Sequence, residues 1–173
     1  EKIEGIVKGF LQSTAQPPSQ RQLVDVNRVI EQTLSIVAPR ADSLGVELAR
    51  ELDRGLGPVR AVPVELEQIL LNLVNNSLDA LQAKKQQGAR GMLRLEVRSV
   101  MSELESRPAA ELEVYDTGEG ISVDDLKNVF KPFFTTKRPG QGTGLGLTIC
   151  QQLANKNGAE IEMKSRKGSW TRV

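Results

Sequence analysis

Histidine is absent from the chain, and that absence removes several chemistries at once. A Ser-His-Asp or Cys-His hydrolase, a His-ligated zinc or haem site and acid–base catalysis by imidazole all need a residue these 173 positions do not supply. Cysteine is nearly absent too. Cys150 stands alone, so no intrachain disulfide can form, and its apolar neighbours Ile149 and Leu153 mark it as core packing. Aromatic residues make up 3% of the chain, too few for a platform on which bases or sugars stack. The net charge is +1, from 23 Lys+Arg against 22 Asp+Glu, which leaves no broad attraction for nucleic acid or an anionic membrane. No apolar run reaches about 18 residues and no signal peptide is visible, so a cytoplasmic location is expected.

What is present suits one core-forming domain with a small appendage: 39% hydrophobic and 26% charged residues. Residues 1–15 place Ile3, Ile6, Val7, Phe10 and Leu11 at helical spacing and stop before Pro17-Pro18. Such a helix, with little of its own to pack on, calls for a partner helix or folds back on the main body. It begins abruptly, as a piece of something longer does. Beyond a linker at 17–23, a short strand at 23–26 leads to Asn27 as a helix N-cap, and Gly45 ends that helix. A strand at Val46–Leu52, a long helix opening at Pro63, and strands at 92–100 and 111–115 follow, the last two joined by a loop containing Arg107-Pro108. Ser122 caps a short helix through Leu126, a helix at 144–157 ends at Gly158, and 159–163 alternates as a strand. Helices and strands alternate irregularly, which predicts a two-layer α/β sandwich with a mixed, mainly antiparallel sheet rather than a doubly wound parallel one.

Three stretches carry the candidate chemistry. On the helix from Pro63, Glu65, Gln68, Asn76 and Asp79 lie within roughly 40° of Asn72, opposite Leu66, Leu70, Leu73, Val74, Ser77, Leu78 and Leu81. Asn72, Asn75 and Asn76 cost helix propensity that Lys or Glu on a plain solvent face would not. Two amide oxygens at i, i+4 suit a hard cation such as magnesium already carrying waters and phosphate oxygens; a solvated face with chance clustering is the plainer account. Next, Asp116-Thr117-Gly118-Glu119-Gly120 follows a strand directly. A carboxylate there can accept a hydrogen bond from a buried amino group such as adenine's, while the glycines let backbone approach a flat ring. An acidic turn and the Asp-Thr-Gly of aspartic proteases compete with that reading. The protease version needs a second copy, supplied by a dimer, and a small residue where Glu119 stands. Last, Phe130-Lys131-Pro132-Phe133-Phe134-Thr135-Thr136-Lys137-Arg138 runs into Gly142-Thr143-Gly144-Leu145-Gly146-Leu147. Closely spaced glycines opening a helix expose amides to phosphate, although a flexible connector has the same composition. The spacing matches neither a Rossmann fingerprint nor a P-loop. Phe130 and Phe133 are expected as hinge or core anchors, and Lys137 and Arg138 as phosphate contacts.

In order and spacing these stretches resemble the ATP-binding catalytic domain of sensor histidine kinases, in the superfamily shared with gyrase and heat-shock chaperone ATPases, and most closely kinases of the nitrogen-regulation type. Residues 71–80 resemble the N box, Asp116 to Gly120 the G1 box, Phe130 to Phe134 the F box and Gly142 to Gly146 the G2 box. The resemblance implies that residues 24–173 are the ATP-binding domain, with the last strand truncated, and that residues 1–16 end the dimerisation and phosphoacceptor hairpin. It implies ATP or ADP and Mg2+ as ligands, with Asn72 and Asn76 on the metal and Asp116 on the adenine amino group. Asp79, Gly118, Gly120, Ile121, Phe130, Thr135, Thr136, Lys137, Gly142, Thr143, Gly144, Leu145, Gly146 and Leu147 would line the nucleotide. Asn72, Asn76 and Lys137 would take part in transfer to a histidine of the hairpin, in the same or the partner protomer of a homodimer, for relay to a response regulator. Two departures stand out. Asp79 occupies a place where many such kinases have lysine, so Lys137 is the substitute, and the expected Gly-Thr-x-Phe ending reads Gly168-Ser169-Trp170-Thr171-Arg172-Val173. A separate difference sets the chain apart from gyrase-like members, which carry a water-activating glutamate where Asn72 stands. A serine-directed kinase of the same fold and a nucleotide-gated interaction module without transfer remain open alternatives.

Overall fold

A computed structural model describes residues 20–88, 91–104, 106–137 and 142–173. The helix expected over 1–15, the first part of the linker and residues 138–141, including Arg138, lie outside the described residues.

Strand β1 (Gln22–Val24) passes through Asp25 into helix α1 (Val26–Leu44). The N-cap is Asp25, whose carboxylate accepts the Arg28 N–H at 3.2 Å, and not the expected Asn27. Asn27 is engaged elsewhere: its amide donates to the Asp53 carbonyl at 2.8 Å and accepts the Ser99 hydroxyl at 2.6 Å. A side chain used to tie the helix to Asp53, just after the next strand, and to Ser99 cannot also cap. Gly45 ends α1 as expected, at φ 67°, where its lack of a Cβ makes the left-handed turn accessible. Strand β2 (Val46–Leu52) follows, then β3 (Val59–Ala61), which pairs antiparallel with β1 and is too short for alternation to reveal it. Helix α2 (Pro63–Gln86) opens on Pro63, as the first-turn proline predicts.

Strands β4 (Leu93–Leu104) and β5 (Arg107–Asp116) form the expected antiparallel pair but run longer than predicted. Arg107 and Pro108 pair with Leu104 and Glu103 instead of forming a loop. Proline is tolerated there because, among the described residues, the C-terminal segment pairs with β5 only over Val114 to Asp116, leaving the Pro108 side as an open edge. After α3 (Val123–Leu126), capped by Ser122 as predicted, comes α4 (Gly146–Asn157), closed by Gly158. The strand expected at 159–163 is displaced to β6 (Lys164–Arg166), which pairs with β7 (Trp170–Arg172). Ile161 still packs on the core, so the apolar alternation reported which face is buried and not where the ladder lies.

The five-stranded sheet has the order β2-β4-β5-β7-β6, with only β2 and β4 parallel, and β1 and β3 form a separate pair. Helices α1 and α2 cover one face. Ile30, Leu34, Val74, Leu78, Leu81, Leu95, Val97 and Val114 fill the space between, and α4 adds Cys150 against α2. The other face carries an ion-pair ladder, with no second helical layer among the described residues. Glu96 is buried between Arg94 and Arg98, and Arg98 also meets Glu51 at 3.1 Å. The expected two-layer sandwich with a mixed, mainly antiparallel sheet is the architecture observed.

Candidate functional site

Asp116 ends β5 beneath the middle of α2 and is buried. One carboxylate oxygen accepts the Gly118 N–H at 2.8 Å and the other accepts the Ser77 hydroxyl at 2.8 Å. Burial pushes its pKa up to about 6, against the opposing pull of those two donors and of the Lys84 ammonium. Ser77 was missed as a site residue, yet it was legible as the one hydroxyl among leucines and valines on the apolar side of α2. Lys84, one helical turn beyond Ala80, was missed as well. It donates to the Thr117 carbonyl at 2.6 Å and to that of Ser169 at 3.4 Å, pinning the turn that follows Asp116.

The glycines of that turn are required by close approach. A Cβ on Gly118 would lie 2.5 Å from Asp116 Oδ1 and 2.8 Å from Ala80 Cβ, and one on Gly120 would lie 2.0 Å from the Arg166 carbonyl oxygen. Ile121 then donates its N–H to Ser165 Oγ at 2.8 Å, which ties the segment to β6.

One helical turn before the Ala80 that this turn abuts, Asn76 lies beside α4. A Cβ on Gly146 would come within 3.9 Å of Asn76 Nδ2, which puts the N-terminus of α4 beside the amide. Among the described residues no side chain caps that terminus, and its first N–H groups and the positive end of the helix dipole lie beside Asn76. Lys137 completes the group: its Nζ lies 2.5 Å from Asp79 Oδ2 and 3.5 Å from Asn76 Oδ1. Arg40, reaching over from α1, was not anticipated. It meets Asp79 Oδ1 at 2.5 Å, Asn75 Oδ1 at 2.9 Å and Gln82 Oε1 at 3.4 Å. Burial works against the Asp79 charge, but Lys137 and Arg40 together outweigh it and hold the carboxyl below the usual range.

The remaining expected residues divide between those near this centre and those with structural roles. Phe133 is no core anchor: the residue is 54% exposed and its backbone is left-handed at φ 65°. It anchors through its N–H, which donates to the Gly144 carbonyl at 2.9 Å, while a Cβ on Gly144 would sit 2.4 Å from the Phe133 carbonyl carbon. Phe130 is partly buried and its carbonyl accepts the Thr148 hydroxyl at 3.1 Å. Thr135 Oγ1 accepts the Lys137 N–H at 3.2 Å, and Thr136, Gly142 and Thr143 are exposed beside it. Thr143 Oγ1 accepts the Leu145 N–H at 3.4 Å, and Leu147 packs on the core. Glu65 does not share the exposed stripe with Asn72: it is buried, bonded to Lys156 and, at 2.7 Å, to Asn157 Nδ2. It fastens the start of α2 to the end of α4. Asn72 hydrogen-bonds with Cys150, whose thiol burial pushes up to about 11, an inert core sulfur as expected.

The arrangement therefore offers a buried acceptor for an amino group at one end, and at the other amides and cations for an anion, with an asparagine oxygen beside them. Residues 61–173 match the model of the histidine kinase-, DNA gyrase B- and HSP90-like ATPase family, and the chain belongs to that family. It is 33% identical over 168 residues to the signal transduction histidine-protein kinase AtoS of Escherichia coli K12, covering 97% of this chain and 26% of that protein. Sensor histidine kinase ZraS of the same organism is also 33% identical, over 97% of this chain and 33% of its own length. The chain thus spans a third or less of these curated relatives. The nucleotide-free catalytic domain of histidine kinase ThkA superposes with a TM-score of 0.69 at 23% identity, over 89% of this chain and 95% of that one, which shows the shared fold. Membership of an ATPase family implies nucleotide binding. Among the described residues, no helix is long and apolar enough to cross a membrane.

Proposed function

We propose that this chain is the ATP-binding catalytic region of a cytoplasmic kinase unit, and that it donates the γ-phosphoryl group of ATP to a histidine on a helical hairpin of the same or partner protomer. The observation that carries the reading is how both ends of the site border α2: Asp116, with its oxygens fixed by Ser77 and Gly118, stands in a turn whose Gly118 abuts Ala80, and the α4 N-terminus at Gly146 lies beside Asn76, one helical turn earlier. In this reading Asp116 accepts the adenine amino group, Gly118 and Gly120 let backbone lie against the ring, and the amides of 144–147 bind phosphate.

Magnesium fits the same place. Asn76 offers a hard amide oxygen beside an anion site, and no group of three or more protein carboxylates is present among the described residues, so phosphate oxygens would supply most of the charge. Asn76, with Asn72 one turn before it, would hold the ion, which when bound neutralises charge on the phosphates. Transfer needs the histidine nitrogen lone pair to form a P–N bond as the bond from the γ-phosphorus to the bridging oxygen breaks. ADP leaves with that electron pair and the ring proton passes to solvent. The chain's own residues contribute position and charge: Asp116 orients the base, and Lys137 and the α4 amides stabilise the phosphates. Asn72 cannot act as a general base toward water, which favours transfer over hydrolysis. A response regulator is then the onward acceptor.

The test is phosphorylation of a longer form of the protein that includes the hairpin. With Mg-ATP it should acquire one acid-labile, base-stable phosphate per acceptor site, lost in Asn76→Ala. Acid-stable label, or none, would contradict the histidine assignment.

A further inference from the structure

Asp79 is held by two cations from opposite sides. Arg40 comes from α1 at 2.5 Å to Oδ1, and Lys137 from the segment after Phe134 at 2.5 Å to Oδ2. One carboxylate needs only one of them for neutrality, so the second is in excess at this point. The two cations also differ in how firmly they are placed. Arg40 makes a planar three-point contact with Asp79, Asn75 and Gln82, all on α2, whereas Lys137 has only Asp79 and a long 3.5 Å approach to Asn76 Oδ1. Asp79 and Lys137 are each about a third exposed, at 34%. An ion pair that wet is weakly held and exchanges readily, unlike a fully desolvated one.

We propose that Asp79 is a built-in counter-anion that holds Lys137 until a nucleotide's terminal phosphate takes it, and that Arg40 is the positioning residue that neutralises Asp79 after the exchange. The inference rests on the nucleotide reading above and adds two roles to it. Before exchange, the Asp79 carboxylate occupies Lys137 beside Asn76. Afterwards, Lys137 faces phosphate, which carries more charge than a carboxylate, and Asp79 keeps Arg40, so no charge is left unpaired. Asp79 then opposes phosphate binding instead of lining the nucleotide, and Arg40 favours it without touching the ligand.

Calorimetric titration of the 173-residue chain with Mg-ATP and with adenosine tests this, using Asp79→Asn, Lys137→Met, Arg40→Gln, Arg40→Lys and the two double variants with Asp79→Asn. Asp79→Asn should tighten Mg-ATP by about three- to tenfold and leave adenosine unchanged, and the gain should vanish in the Lys137→Met background. Arg40→Gln should weaken Mg-ATP by a similar factor, with Arg40→Lys restoring part of it, and should have no effect once Asp79 is Asn. Weaker Mg-ATP binding by Asp79→Asn, or a gain that survives Lys137→Met, overturns the exchange. An Arg40→Gln loss that persists beside Asp79→Asn overturns the positioning role. If the unaltered chain binds neither Mg-ATP nor adenosine, the nucleotide reading itself falls, an outcome separable from the others.

Discussion

Asp116 shows how one residue's environment sets its use. Burial raises its carboxyl to about 6, while Ser77 and Gly118 keep two donors on it. Because the folded pKa exceeds the unfolded value, the group's contribution to folding is fully present below the ordinary carboxylate range. It is lost as pH rises through about 6. Binding runs the other way, since an adenine amino group needs the ionised acceptor. Adenosine affinity, measured by calorimetry with a ligand that has no phosphate to titrate, should therefore fall between pH 7 and pH 5 with a midpoint near 6. Ser77→Ala should move that midpoint upward and cost about 1–3 kcal/mol in denaturant melts, because it leaves a buried oxygen without its donor.

At the scale of elements, the two glycine segments work by exclusion of Cβ atoms. Gly144→Ala forces contact with Phe133 at a left-handed backbone position, so it should loosen the segment from α4 and weaken Mg-ADP more than adenosine. Gly118→Ala presses on Asp116 and Ala80 instead; it should cost about 1–3 kcal/mol of stability and weaken adenosine as well. Comparing the two ligands for each variant separates the phosphate end from the base end. The elements also show which signals a sequence carries. Local chemistry was readable: Pro63 opening α2, Gly45 and Gly158 closing their helices, Ser122 capping α3. Contacts between distant positions were not. Asp25 caps α1 while Asn27 binds Asp53 and Ser99, Glu65 left the polar stripe for Lys156 and Asn157, and Pro108 entered a strand because its far side is an open edge. Motif residues in contiguous boxes were found, whereas Ser77, Lys84 and Arg40, which support them across the fold, needed coordinates.

In the whole molecule, the core that α2 shares with the sheet keeps the site in register. Leu78 is fully buried one position after Ser77, so Leu78→Ala should cost about 2–5 kcal/mol and lower nucleotide affinity along with stability, seen as a fall in melting midpoint. The opposite face of the sheet depends on charge. Arg98 and Arg94 hold Glu96 below the usual carboxylate range despite burial, so its contribution is present at neutral pH and is lost as pH falls through that lowered value. The absence of histidine takes on a second meaning at this scale. It excluded several chemistries from the chain, and under the proposed transfer to histidine it means that none of these 173 residues is the phosphoryl acceptor.

The central claim is that a nucleotide binds with its base on Asp116 and its phosphates at Asn76 and the α4 N-terminus. Titration of the chain with Mg-ADP tests it most directly, comparing the unaltered sequence with Asp116→Asn and Asn76→Ala at pH 7.5. The account predicts one site at micromolar to submillimolar affinity, abolished by either substitution while the melting transition stays cooperative. Binding that both variants retain, or no binding by the unaltered chain, would contradict it.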